Sequence, residues 1–525
     1  MTSTSSNGSG SVINQAPEHL RRLRKKRAFR DGLSLYGVGA GGIGVIVALG
    51  LIFVYLFYET FPMLKPVTVD EGPVYTLPER PAGVDLFHVS LDRYEEIGAR
   101  FLSSGEIVFF DARSGEQRGA IRVPVPEGAE ITAFGKAENR RQLFVYGFSN
   151  GDVLPVRVEY PQTFIDGQRQ IGFDLSWPLG ESPIRLGSEE SRFTSLGIVD
   201  GRGGYLVAAG TAAGRVELAL YSTRSNLMTG AVTVQRRDYS LPPLQTPVER
   251  VLLPESLRSL YAIDSSGTLF VYDIVDPTRA AIREQVQLVA DGASVTAAEF
   301  LVGSRSVIVG GSDGSLSQWF PVRLGEDVET RLTRIRGFQG HEAAVTVIEP
   351  EYIRKGFLSG AADGSIGLHY ATSSVTLDQR TVAPTAVERL AIGPNNSFAL
   401  VSAQGSADIR TLVIDNPHPQ TSLSGLWGRV WYEGRSEPEF IWQSSSADDA
   451  FEGKFSIVPL SVGTLKAAFF AMLLATPLAI MGAIYTAYFM APRFRRVVKP
   501  SIELMEALPT VILGFLAGIW LAPFV

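Results

Sequence analysis

The stretch GFLSGAADGSIGLHYA, residues 356–371, decides the fold. It opens on an apolar, β-prone run, turns at Asp363-Gly364 and continues as a second strand. Gly and Asp are what a tight hairpin needs, because such turns demand positive φ. Six further stretches share the plan: FLSSGEIVFFDARSG (101–115), LFVYGFSNGDVLPVRVEY (143–160), YLVAAGTAAGRVELALYS (205–222), LYAIDSSGTLFVYDI (260–274), VIVGGSDGSLSQWF (307–320) and FALVSAQGSADIRTLVI (398–414). Their turn glycines are Gly105, Gly151, Gly214, Gly267, Gly314, Gly364 and Gly405, separated by 46, 63, 53, 47, 50 and 41 residues. Short strands and hairpin turns repeating at such spacing are the mark of propeller blades. VIVGG suits a strand buried on both faces, whereas LFVYD alternates like a half-buried one. A single blade cannot cover its own faces, so neighbours must stack and the ring must close. The count favours seven blades over six or eight, and the regular spacing favours a ring over a solenoid or two sandwiches.

The copies resemble WD40 and quinoprotein blades. Gly340-His341 precedes the Gly364 hairpin, and Phe110-Asp111 and Tyr272-Asp273 stand where a Trp-Asp pair would be. Asp264, Asp313 and Asp363 recur just before turn glycines; they read as turn formers before they read as cation ligands.

Outward from the repeats, charge disappears. Residues 32–58 and 467–492 contain no charged side chain, and each run is long enough to span a hydrocarbon core of about 30 Å. Arg21, Arg22, Arg24, Lys25, Lys26, Arg27 and Arg30 precede the first run, which is too long for the apolar part of a secretory signal. Arg493, Arg495, Arg496 and Lys499 follow the second. By the positive-inside rule these cations mark the cytoplasmic ends, so residues 59–466 are expected outside the membrane. The cluster Arg493, Arg495, Arg496 and Lys499 can also pair with anionic headgroups, at about 1 kcal/mol each. A third run, 507–525, is long enough to reach across, and the chain stops inside it. That ending reads as the front part of a longer membrane protein, or one half of a split one.

The last 75 residues, 451–525, resemble the first block of phosphate ABC transporter permease subunits of the PstC type. The matching residues are Pro459, Leu460, Gly463, Thr464 and Leu465, then Pro500, Ile502, Glu503, Leu504, Pro509, Val511, Gly514 and Phe515. Two departures stand out: Glu506 replaces a small apolar residue, and the repeats occupy what is a short loop in that family. The resemblance implies a multi-pass subunit of a bacterial inner membrane that imports phosphate. It also implies a second permease subunit, an ABC ATPase subunit and a periplasmic phosphate-binding protein as partners. The propeller is then a periplasmic docking or regulatory module. The alternative is a membrane-anchored periplasmic scaffold without transport; a propeller enzyme is a third reading.

The expected architecture is mainly β: a seven-bladed WD40/quinoprotein-like β-propeller inserted between transmembrane α-helices of an ABC permease. The order is a disordered, basic cytoplasmic segment (1–31), a first span (32–58), the propeller (66–416) and a linker with interfacial aromatics (417–458). A second span (459–492), a cytoplasmic loop or short helix (493–506) and a third span (507–525) complete it.

Several chemistries are excluded or set aside. With no cysteine among 525 residues there are no disulfides, thiolate metal sites or Cys nucleophile. The net charge of −6 does not point to nucleic acid. No GxxxxGK[ST] occurs, so ATP hydrolysis is expected on a separate subunit, the chain is not expected to be an enzyme, and no cofactor is expected. Residues 37–42, GVGAGG, satisfy GxGxxG but lie in an apolar run, where Gly37 and Gly41 read as a helix-packing pair. Pro509 cannot continue an unbroken helix, and Gly514 allows close helix approach. Trp427, Trp431, Tyr432, Phe440 and Trp442 read as interfacial, or as packed on the propeller base.

Overall fold

The computed structural model describes residues 18–188, 191–201, 203–225, 232–323, 330–445, 452–506 and 510–524. Of the segment 1–31 expected to be disordered, residues 1–17 fall outside them, as does the helix break expected at Pro509; residues 18–31 are instead helical, continuous with the apolar run that follows. The chain divides into two units: residues 1–318 with 336–422, and residues 319–335 with 423–525.

Seven antiparallel sheets follow one another along the chain, each starting from one strand: Leu86–Leu91, Ile131–Lys136, Phe193–Gly201, Val248–Leu252, Val295–Phe300, Val345–Pro350 and Val387–Ile392. They are blades 1 to 7, and their first strands line a central cavity. The first six blades are completed in sequence order. Blade 7 takes its outer strand, Thr68–Thr76, from before blade 1, pairing Thr68 with Asp415 and Thr76 with Asp408. That clasp is how the expected ring closes. The Arg389 guanidinium adds a second bond across the same seam, donating to the Phe87 carbonyl at 2.6 Å.

All seven turn glycines adopt positive φ, between 73° and 81°, and all lie between second and third strands. At Gly364 a Cβ would collide with the Ala383 carbonyl oxygen, so the residue is fixed by space as well as by φ. Because strands alternate in direction, these seven turns share one face of the ring, here the glycine face. The first-to-second and third-to-outer turns share the opposite face. There the chain enters at Thr68 and leaves after Asp415, so we term it the root face.

The core lies between blades. Val307–Gly311 and Gly356–Ala361 are buried along their whole length, as stacking on both sides demands. One cluster joins blades 7 and 1 through Leu86, Leu91, Phe110, Leu400 and Ile409. Others join blades 1 and 2 around Phe109 and Tyr146, and blades 6 and 7 around Leu368 and Leu412. Each fully buried apolar side chain contributes about 1.5–3 kcal/mol.

One regularity was not foreseen. Every first strand skips a pairing at its second residue: Phe87, Thr132, Thr194, Glu249, Thr296, Thr346 and Glu388. Such bulges bend the strand and free polar groups for other partners. Two threonines use that freedom to bond the next blade: Thr346 Oγ1 donates to the Val387 carbonyl at 2.6 Å, and Thr194 Oγ1 to the Val248 carbonyl.

Outside the ring, α1 spans Glu18–Thr60 and is followed by a 3-10 turn, Phe61–Leu64. A short helix α2 (Leu423–Trp427) and the strand pair Trp442–Gln443 with Lys454–Phe455 precede α3 (Val458–Ile484). Helix α3 runs on as a π turn, Tyr485–Phe489, and is followed by α4 (Pro492–Glu506) and α5 (Thr510–Leu516). Two helical stretches, Lys25–Met63 and Val458–Phe489, are long and apolar enough to cross a membrane. The third run supplies a shorter apolar helix, Leu513–Phe524.

Candidate functional site

The first strands enclose a cavity of about 410 Å³. Its floor is an unusual turn. Residues 138–142 join the first two strands of blade 2, and the 3-10 turn Asn139–Arg141 carries them across the axis. Lys136 Nζ meets Glu349 of blade 6 at 2.7 Å, on the far side of the ring. Asn139 Nδ2 donates to the same carboxylate at 2.7 Å and to the Pro350 carbonyl at 2.9 Å. Gln142 Nε2 donates to the Tyr352 hydroxyl at 3.0 Å, and Glu138 accepts from the Gly303 amide of blade 5 at 3.2 Å. Arg141 reaches Glu255 of blade 4 and Asp200 of blade 3, both at 3.4 Å. This one turn therefore bonds to blades 3, 4, 5 and 6 and stops the channel at the root face.

The channel walls are charged. Burial pushes the Glu349 carboxyl above its usual range even with Lys136 beside it. Burial opposes the Lys136 ammonium, but Glu349 and Glu299 outweigh it and hold its pKa above the ordinary lysine value. Arg250 donates to the Thr296 carbonyl and, like Arg389, is lowered by burial. His88 is packed among Phe101, Phe134 and Phe144. Burial first, then Lys136 and Arg389, keep it neutral.

His341, singled out by its Gly-His mark, is a latch. Its Nδ1 contacts Ser365 Oγ and its Nε2 contacts Ser359 Oγ, each at 2.7 Å; Ser359 Oγ also contacts His369 Nε2 at 2.7 Å. Ser365 Oγ donates to Asp363 at 2.6 Å. Ser266 Oγ donates to Asp264 and Ser315 Oγ to Asp313 in the same way, so all three turn aspartates are held as turn formers. No group of three His, Cys, Asp or Glu side chains placed to hold a metal occurs among the described residues.

The remaining sequence-predicted residues are dispersed along helices. Gly37 and Gly41 lie within α1, which removes any strand-turn-helix reading of GxGxxG. The backbone of α1 also carries Arg21 and Arg24, while Arg22, Lys25, Lys26 and Arg27 are exposed on it. Gly463 and Thr464 lie on α3, where Thr464 Oγ1 donates to the Leu460 carbonyl at 2.8 Å. Arg493, Arg496, Lys499 and Glu503 are exposed on α4; Arg495 is half-buried and caps the preceding π turn at the Ala487 carbonyl. Gly514 lies on α5. Nothing approaches within 4 Å of a Cβ built at Gly37, Gly41, Gly463 or Gly514. Of the linker aromatics, Tyr432 is buried, while Trp427 and Trp442 are exposed.

Sequence reasoning missed the channel floor. Its bonds to blade 6 join residues 210 and more positions apart, and neither partner carries a local mark. The bulge did leave a trace, since threonine recurs at four of the seven positions.

No protein-family model matches the chain. It is 32% identical over 97 residues to the probable ABC transporter permease protein YqgH of Bacillus subtilis (strain 168). The match covers 18% of this chain and 30% of that relative's length. A solved structure, the β-propeller domain of Cps50 (Swd1) from Myceliophteria thermophila, resembles 65% of this chain over 99% of its own. The TM-score is 0.46 at 12% identity. The chain thus combines a seven-bladed propeller, two helices of membrane-spanning length and a stretch similar to an ABC permease.

Proposed function

We propose that the chain is a permease subunit of an ABC-type phosphate importer of the bacterial inner membrane, with its propeller held on the periplasmic side. The observation that carries this reading is the similarity to a probable ABC permease, together with the ordered string from Pro459 to Phe515, whose described residues lie along α3, α4 and α5. The ring's geometry supports insertion of the propeller between two spans. A domain set into a loop needs its ends side by side, and Thr68 pairs with Asp415 while Thr421 Oγ1 donates to the Met63 carbonyl at 2.6 Å. Lacking a phosphate-binding P-loop, the chain hydrolyses no ATP; an ATPase subunit, a second permease subunit and a phosphate-binding protein complete the importer. The propeller serves as a docking or regulatory module for one of them.

The test is uptake. Cells lacking this chain lose most high-affinity phosphate uptake and keep sulfate uptake, and the purified chain brings a P-loop ATPase with it. Unchanged phosphate uptake without a co-purifying ATPase favours the membrane-anchored scaffold. Because the chain has no cysteine, Arg305→Cys on the root face gives a clean topology probe. It is labelled by an impermeant maleimide added outside intact spheroplasts; labelling only after lysis removes the periplasmic placement.

A further inference from the structure

We propose that residues 162–171 of blade 2 form a lipid-contacting finger that dips into the membrane beside the chain's own first span. The inference rests on α1 being a membrane span and adds a second, peripheral contact to it.

The finger is a two-stranded hairpin, Gln162–Ile165 paired with Gln168–Ile171, inserted between the third and outer strands of its blade. Its turn, Asp166-Gly167, has φ of 50° and 75°, the doubly positive geometry of a tight two-residue hairpin. At the tip Phe164 is 71% and Ile165 52% exposed. An isolated hairpin is marginal in water, and two large apolar side chains at its tip gain nothing there. Yet the base is braced. Gln162 Nε2 donates to the Tyr94 hydroxyl at 2.7 Å, Arg169 stacks 4.0 Å over the Tyr94 ring and pairs with Glu96, and the Gly172 amide donates to the Pro161 carbonyl at 2.8 Å. The tip is therefore held in place by the first turn of blade 1.

Location supplies the occupant. A third-to-outer connection lies on the root face, where the chain arrives from α1. Only the turn Phe61–Leu64 and three more residues separate α1 from Thr68, a reach of roughly 20 Å. At the end of α1, Phe57 and Phe61 pack together at 5.8 Å with both rings exposed, as anchors at a headgroup layer are. The two faces of the ring also differ. Among the described residues, large exposed apolar side chains in the turns of the root face are Phe164, Ile165, Val275 and Ile353. The connections on the glycine face offer Val125 alone, 37% exposed. A short tether holds the face with the apolar tips near lipid, and an aromatic–aliphatic tip of this kind seats about 5–10 Å into the headgroup boundary.

The experiment uses the full chain in phospholipid nanodiscs, with one cysteine at a time labelled by an environment-sensitive dye. Positions are Phe164→Cys, Ile165→Cys, Val125→Cys as the opposite-face control and Leu49→Cys within α1; circular dichroism checks that each variant is folded. Spin-labelled lipid is expected to quench the 164 and 165 dyes several-fold more than the 125 dye. If position 49 is quenched and 164 reports water, the finger is overturned while the span stands. If 164 is shielded but unquenched by spin-labelled lipid, a protein covers the tip and the lipid proposal falls. If position 49 is unquenched, α1 is not a span and both readings fall.

Discussion

The propeller and the helices place their apolar surface differently: one encloses it and the other leaves it exposed. In the ring, Phe109, Phe110 and Ile107 are fully enclosed by neighbouring blades. On α3, Phe469 is 63% and Leu474 69% exposed, with no buried residue along the whole helix. Hydrophobic composition is shared; the partner differs. Blades are each other's solvent, so packing density decides stability there. The helices leave their apolar side chains uncovered by the described chain, and two of them are long and apolar enough to cross a membrane, where length and flanking charge decide. Interior charge follows the same division: the ring keeps Lys136 and Glu349 by pairing them across its axis, whereas residues 467–492 contain none.

This contrast can be broken or sharpened by substitution. The largest effect is expected at the cross-axis pair. Lys136→Met strands the Glu349 carboxylate and costs about 3–5 kcal/mol, while the double variant with Glu349→Met recovers most of the loss. Denaturant unfolding of the chain in detergent measures both, and equal losses in single and double variants refute the pairing argument. Next, Leu400→Ala at the seam between blades 7 and 1 costs about 2–5 kcal/mol. Its counterpart on α3, Leu474→Ala, leaves the propeller's transition where it was. Third, Gly364→Ala costs on the order of 1–3 kcal/mol, since φ is 81° there and a carbonyl oxygen occupies the space. Gly514→Ala is silent in the same melt.

The smallest effect per unit change is a pH slope. Burial, then the neighbouring His341, lowers His369 from 6.5 to about 3. The unfolded chain takes up a proton near pH 6.5 that the folded chain refuses. Stability from this group is therefore complete above about pH 6.5 and declines towards pH 3, by on the order of 1 kcal/mol per pH unit. Replacing His369 with Phe should flatten the slope in thermal melts between pH 4 and 6.5. An unchanged slope places the sensitivity elsewhere.

Local marks explain what the sequence could reveal. The seven glycines were legible because a positive-φ turn admits few residues, and all seven proved to hold it. The two long apolar helices were legible because charge is absent from residues 32–58 and 467–492. First strands were not, since Thr132 or Val347 carries no turn signature and the bulge appears only once strands are paired. The clasp was anticipated as closure but not as Thr68–Thr76, because that pairing joins positions more than 330 residues apart. Residues 162–171 hold a readable Asp-Gly turn, though nothing local says which face of the ring it occupies.

The clasp also carries a schedule. Strand Thr68–Thr76 emerges from the ribosome directly behind α1, yet its partner Asp408–Asp415 follows some 330 residues later. At about 5–20 residues per second, that is a delay of roughly 15–70 s. Throughout it the first-made strand waits as an open edge while six blades assemble beside it. Biogenesis therefore favours whatever shields a nascent edge during synthesis, and a chain arrested before residue 408 would leave that strand unclaimed.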